Sequence, residues 1–458
     1  MMQFSRGWLF FWTVLLIGGF ILPSLIEPIV LVAFGLRALK GPKETVEAFF
    51  VLTLYLLGSQ NFTSGDAKTL RYLIYFLGFA SVFVRKASTH TPLRKFLWAF
   101  LILEGLIFAV FGQMPALSIL KLISFFLGVY TIVEAFAQTR HLRPYWFRFV
   151  NTFFLFVLVA SAMFLLAGLG FERNGRGFQG IFIHPQTFGP LMAVVTAWFG
   201  GIWLVAKRSS ILAPTLLGVS LIFIYLSQAR TGLAALLLGG GLAYLIATLS
   251  SLQIPNKQRF YQLAGVSTVA LILLALLNPS GVEEVVLSFI QKRETSSTEV
   301  AGLFQESRGF LVDASLLNFA EHPLFGIGLG VPTNYEEVDI SDYQSIAGIP
   351  ISASVEKGFL PAAIVEEMGV LGTLFTIVLL LMIIGRISRR FSFMTLWLVL
   401  SALLINIGEA VLFSVGGLGI FVWIIVGLTY SNDLFQLTQL RRKRPRPVSA
   451  ESMPAPSA

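Results

Sequence analysis

A few short segments hold the residues whose types and spacing could do chemistry. In Ser227-Gln228-Ala229-Arg230-Thr231-Gly232 an arginine stands where one apolar run ends and the next begins. A guanidinium there either snorkels to the membrane interface or binds an anion. Arg308 precedes a helical pattern, where a planar fork and helix N-terminal amides together suit a phosphate, with an ion pair to Glu306 or Asp313 as the plain alternative. Arg176-Gly177-Phe178-Gln179-Gly180-Ile181-Phe182-Ile183-His184-Pro185-Gln186 reads as a turn feeding a helix that starts at proline. Glu321-His322-Pro323-Leu324-Phe325-Gly326-Ile327-Gly328-Leu329-Gly330 alternates glycines that permit tight backbone turns near a ligand. Two further segments, Glu356-Lys357-Gly358-Phe359-Leu360-Pro361 and Glu366-Glu367-Met368-Gly369-Val370-Leu371-Gly372, add carboxylates and a lysine. The arginines are the candidate anion contacts among these residues.

The solvent around these residues is set by composition. The chain of 458 residues is 56% hydrophobic and only 12% charged, against roughly 25% charged in soluble domains. Spans in lipid must be helices or a closed barrel. Stretches such as Ile211 to Leu226 and Val370 to Ile384 are apolar on nearly every side, which excludes alternating barrel strands. The absence of cysteine excludes disulfides, thiolate metal sites and cysteine nucleophiles. A formal net charge of +9 arises from short links and from the tail Arg441, Arg442, Lys443, Arg444, Arg446. That placement is the positive-inside pattern and not a nucleic-acid footprint.

The apolar runs predict an all-α fold: a polytopic transmembrane helix bundle of about 12–14 spans with one large extracytoplasmic loop containing helices. Expected spans include Phe96 to Phe111, Leu117 to Gln138, Ile211 to Leu226, Gly232 to Leu249, Phe260 to Leu277, Phe359 to Ile384, Met394 to Leu412 and Val415 to Tyr430. The stretch Leu25 to Leu39 is short for a span, and reads either as a brief crossing or as an interfacial helix. Links carrying Arg85, Lys86, Arg94 and Lys95, then Arg140, Arg143 and Arg148, then Lys207 and Arg208, then Lys257 and Arg259, then Arg386, Arg389 and Arg390 alternate on one side, the cytoplasm. Glu104, Glu134 and Glu409 fall within expected spans, where an acid is costly and a functional candidate.

The expected organisation is a transmembrane bundle over 1–278, a large periplasmic loop over 279–358, C-terminal helices over 359–432 and a basic, disordered cytoplasmic tail over 433–458. The loop holds twelve acids against four bases, a formal charge of −8. Within it Phe310, Leu311, Ala314, Leu317 and Ala320 recur at helical spacing, which predicts an amphipathic helix with its apolar face on the bundle. Pro323 and the following glycines end it.

Taken together and in order, these segments resemble the O-antigen ligase and Wzy-type polymerase superfamily. The corresponding residues are His184-Pro185, Ser227 to Arg230, Arg308 with His322 to Gly330, and Glu367-x-Gly369-x-x-Gly372. The resemblance implies a membrane-embedded glycosyltransferase, similar to the type C architecture, in the bacterial inner membrane with its active face periplasmic. Its expected donor is an undecaprenyl diphosphate-linked glycan and its acceptor a glycan or lipid-glycan hydroxyl. The lipid bilayer, a chain-length regulator and a flippase are the expected further partners, with no nucleic acid, no cofactor and no metal. Arg230 and Arg308 would hold the leaving diphosphate; Arg176, His184, His322 and Lys357 would contact substrate.

The chain departs from the family where ligases carry a histidine at the loop exit. It offers Glu356-Lys357-Gly358-Phe359-Leu360 instead, and neither available alignment supplies a histidine. Glu356 is therefore the expected base or hydroxyl-orienting group, with an interfacial pair to Lys357 as the structural alternative. The missing histidine weighs more against a lipopolysaccharide ligase than against a polymerase. A different class, a transporter for a small anion such as bicarbonate, would need charged residues lining a path from both sides of the bilayer.

Overall fold

Proline opens helix after helix in this chain, because its fixed φ suits the first turn and its missing N–H is unneeded there. In the computed structural model, Pro23, Pro42, Pro92, Pro115 and Pro185 each stand at a helix start. The structure describes residues 3–85, 91–171, 177–205, 211–250, 309–337, 357–390 and 392–432, with residues 252 and 258 and the pairs 345–346 and 349–350. The described helices are α1 (Arg6–Ile21), α2 (Pro23–Ala38), α3 (Pro42–Leu57), α4 (Ala67–Val84), α5 (Pro92–Phe111), α6 (Pro115–Gln138), α7 (Arg143–Leu166), α8 (Pro185–Val205), α9 (Leu212–Ser227), α10 (Arg230–Leu249), α11 (Phe310–Glu321), α12 (Leu360–Arg390), α13 (Phe393–Leu404) and α14 (Gly417–Ser431). Two-residue strands β1 (Ser345–Ile346) and β2 (Ile349–Pro350) pair antiparallel, Ile346 facing Ile349.

The fold is an all-α polytopic bundle. Among the described residues six helices are long and apolar enough to cross a membrane by length and composition. Helices apolar all round belong in the centre, and α3, α6, α8, α13 and α14 are buried along most of their length. The outer helices keep a lipid-ready stripe: on α2, Leu25, Ile29, Val32 and Leu36 are exposed while Leu31, Phe34 and Ala38 pack inward. Aromatic rings stitch the N-terminus to the bundle, with Trp8 and Trp12 of α1 against Phe149 and Phe153 of α7.

Among the described residues, Arg94, Arg140 and Arg386 of three basic links gather at one end. Arg37 Nη2 lies 2.6 Å from Glu47 Oε2, Arg94 Nη1 lies 3.8 Å from Glu134 Oε1, and Arg386 Nε donates to the Tyr430 carbonyl over 3.1 Å. The Ser5 amide donates to Thr152 Oγ1 over 2.8 Å, which places the N-terminus at this same basic end. The ambiguous stretch Leu25 to Leu39 is therefore a helix antiparallel to α1, packed on α3 and α4. The expected span Phe260 to Leu277 lies outside the described residues.

What holds α2 inward is Glu27, which is fully buried. Its carboxylate accepts from the Ser64 amide at 2.5 Å, the Gly65 amide at 3.3 Å and the Ala67 amide at 2.6 Å, capping the start of α4. Glu27→Ala strands those donors and is expected to cost about 2–4 kcal/mol, read as a lowered thermal midpoint of the purified protein. An unchanged midpoint would remove Glu27 from the account of how α2 is held.

Two expectations are corrected. The run Met394 to Leu412 is not one span: α13 stops at Leu404, and residues 405–416 form a link fixed by Tyr75 Oη on the Val415 carbonyl and Trp423 Nε1 on the Leu412 carbonyl. Glu409 therefore sits in that link and not within a helix. Helix α11 exists where expected, but Leu316 and Leu317 are exposed; its inward contacts are polar and come from Ser315 and Asn318.

Candidate active site

Opposite the basic end, α12 breaks its own regularity to make a junction. Gly369 takes φ 59° and ψ −161°, a conformation open to glycine. Around this kink the helix shares hydrogen bonds with the strap that follows α11. The Ile327 amide donates to the Glu366 carbonyl and the Gly328 amide to that of Glu367, both over 2.9 Å. In return the Val370 amide donates to the Pro323 carbonyl over 2.9 Å. A Cβ on Gly369 would sit 2.5 Å from the Leu324 carbonyl carbon. The glycine-rich strap and the Glu-x-Gly segment, distant in sequence, are thus the two halves of one joint. Gly369→Ala combines a positive φ with a backbone clash and is expected to cost at least about 2–3 kcal/mol, seen as loss of folded, monodisperse protein. A fully stable variant would contradict the joint.

The joint aims a cluster of charge. Glu366 is fully buried and fully occupied: it accepts from Ser315 Oγ over 2.7 Å and Asn318 Nδ2 over 2.8 Å, and lies 3.0 Å from Lys357 Nζ. It pins α11 to α12 with hydrogen bonds to a charged acceptor, the strong kind. Glu367 is 3.3 Å from Lys357 Nζ and 3.8 Å from Lys121 Nζ of α6. Lys121, Lys357 and Glu367 line a small open pocket whose other walls include Leu360, Ile364 and Phe413.

Arg230 stands at the first position of α10, behind a tight turn in which Gln228 adopts the left-handed φ of 53°. The turn is clamped from below, since Gly189 of α8 packs against Ser227 and Ala229. From the side, Gly408 of the 405–416 link packs against Thr231. The same link supplies Phe413 to the lysine pocket, so Arg230 and the pocket share one end of the bundle. Arg230 is partly exposed, and among the described residues no hydrogen bond or ion pair engages its guanidinium. A fixed backbone carrying a cation without a protein partner is what an incoming anion requires.

The two histidines do local work. His184 Nδ1 accepts from the Gln186 amide over 3.2 Å at the start of α8, and its ring is exposed. His322 ends α11, its Nε2 lying 3.2 Å from Gln113 Nε2 of the α5–α6 turn. Arg176, Arg308 and Glu356 lie outside the described residues. Of the acids expected within spans, Glu134 is paired with Arg94, whereas Glu104 is buried with neither oxygen hydrogen-bonded among the described residues. Sequence reasoning passed over Lys121 and the buried role of Glu366. A signal for Lys121 was present, because a lysine inside the apolar run of α6 is as costly as an acid there.

Residues 215–377 match the family model described as O-antigen ligase. That match covers 163 of the chain's 458 residues. No curated protein gives a significant match. The matched segment runs from α9 into α12 and so contains Arg230, Arg308, His322, Glu356 and Lys357, while Arg176 and His184 precede it. It supports a membrane protein of the O-antigen ligase and polymerase type, with a glycan or lipid-linked glycan as substrate. Lys121 reaches the pocket from outside the matched segment, on α6. Nothing in the match favours a transporter.

Proposed function

We propose that the protein is a bacterial inner-membrane glycan polymerase or ligase. It transfers an oligosaccharide from undecaprenyl diphosphate to an acceptor hydroxyl at the periplasmic face, which in this reading is the end opposite the basic links. The observation that carries the reading is Arg230: a guanidinium without a protein partner among the described residues, fixed on a clamped turn inside the matched segment. In the reaction the acceptor oxygen bonds to the anomeric carbon as the bond from that carbon to the carrier diphosphate breaks. The diphosphate departs with the electron pair, and Arg230 with Arg308 holds its growing charge. The acceptor proton passes to a base, for which Glu356 is the proposed group. Lys357, Arg176, His184 and His322 are proposed to contact the substrate around that centre.

The length distribution of surface and carrier-linked polysaccharide in a deletion strain tests the proposal. Accumulation of single repeats, reversed by the wild-type gene and not by Arg230→Ala, identifies a polymerase. Full-length polymer retained on the carrier identifies a ligase. Unchanged glycans in every strain would overturn both.

A further inference from the structure

Resting on that reading, we infer that the Lys121–Lys357 pocket is a subsite for the carboxylate of an acidic sugar, so that the glycan handled by this protein carries uronic-acid-type residues. Both ammonium groups face one small pocket. Lys357 is almost wholly buried, its side chain 4% exposed, while Lys121 is partly exposed at 28%. Lys357 Nζ has carboxylate oxygens at 3.0 Å and 3.3 Å, yet neither contact is aligned as a hydrogen bond. Lys121 Nζ is 3.8 Å from its carboxylate, beyond hydrogen-bond range. Among the described residues, Lys357 thus keeps donor protons unengaged at the pocket, with Lys121 beside it.

The position of Lys121 is built and not incidental. Its stem lies over Gly330, where a Cβ would meet Lys121 Cδ at 2.3 Å, so the last glycine of the strap makes room for it. The Glu367 carboxylate, shared between the lysines, stands in for the group a substrate would bring.

Charge and shape choose the ligand. Lys121 and Lys357 balance Glu366 and Glu367, so the cluster is formally neutral. A single carboxylate adds one negative charge to it; a diphosphate would add two or more, with the lysines already offset. A planar carboxylate also takes one donor from each lysine, and the small pocket, walled by Leu360, Ile364 and Phe413, suits that group with the sugar ring left outside.

The test is binding and not turnover. Purified full-length protein in lipid nanodiscs is titrated with methyl β-glucuronide, methyl β-glucoside and inorganic diphosphate. The expected result is at least tenfold tighter binding of the glucuronide than of the glucoside. Lys121→Gln should abolish that preference and Lys121→Arg should retain most of it, while Arg230→Ala leaves it intact. Equal binding of the two glycosides by the wild type overturns the inference without reference to any variant. So does diphosphate binding that Lys121→Gln weakens, which would assign the pocket to the carrier head group. Glucuronide preference in a protein that transfers no glycan would leave the subsite standing and sink the transferase reading alone.

Discussion

Arg230→Ala is expected to lower glycan transfer by about 10²- to 10³-fold, the scale for losing one charge-stabilising donor from a transition state. The leaving diphosphate gains negative charge as the glycosidic bond breaks, so a guanidinium that meets it contributes more at the transition state than in the bound donor. The loss should therefore appear mainly in kcat, with KM changed less. Arg230→Lys keeps the charge without the planar fork and should recover only part of the rate. Initial rates with purified protein at matched amounts check this. Because Arg230 is partly exposed and no described side chain depends on its guanidinium, thermal stability should stay close to wild type. A variant with normal kcat would place the diphosphate elsewhere.

Glu366→Ala should do the opposite, damaging the fold before the chemistry. Glu366 anchors Ser315 and Asn318 of α11 and neutralises Lys357 beside the kink of α12. Removing it leaves a buried ammonium with one counter-ion and strands a buried hydroxyl. Breaking a buried pair in this way costs about 3–5 kcal/mol. The thermal midpoint should drop sharply and α11 should become the first segment open to proteolysis. Glu366→Gln keeps one acceptor oxygen and the side-chain shape while losing the charge, and should be milder than alanine. A midpoint within experimental error of wild type would contradict the view that α11 is docked by this carboxylate.

How much of this was legible beforehand depends on what kind of force placed each residue. The helices could be read because lipid demands long apolar runs, and the basic end could be read from the alternation of arginine-bearing links. Where the apolar signal was uninterrupted it misled: nothing between Met394 and Leu412 is charged except Glu409, yet the chain leaves the helix after Leu404, held by bonds to Tyr75 and Trp423. The stretch Leu25 to Leu39 was ambiguous because it is short for a span yet apolar, and what fixes it is Glu27. Its partners are amides at 64–67, brought there only by the packing of α2 on α4. Periodicity placed α11 but chose the wrong face, since its contacts are polar and are fixed by Glu366.

The site divides the same way. Arg230 was legible as a cation on the unexpected side, and the structure holds it on a clamped turn with no competing partner among the described residues. The glycine strap and the Glu366–Gly372 segment were visible as motifs, but their union into one joint is a matter of tertiary hydrogen bonding. Lys121 was missed because intramembrane acids drew the attention that a lone lysine in α6 equally warranted.

The most direct measurement of the central claim is transfer by the purified protein in lipid vesicles, supplied with an undecaprenyl diphosphate-linked oligosaccharide and an acceptor glycan. Wild-type protein should release undecaprenyl diphosphate in step with acceptor elongation, and Arg230→Ala protein of equal stability should release almost none. Equal release by both proteins, or none by wild type with donor and acceptor present, would contradict it.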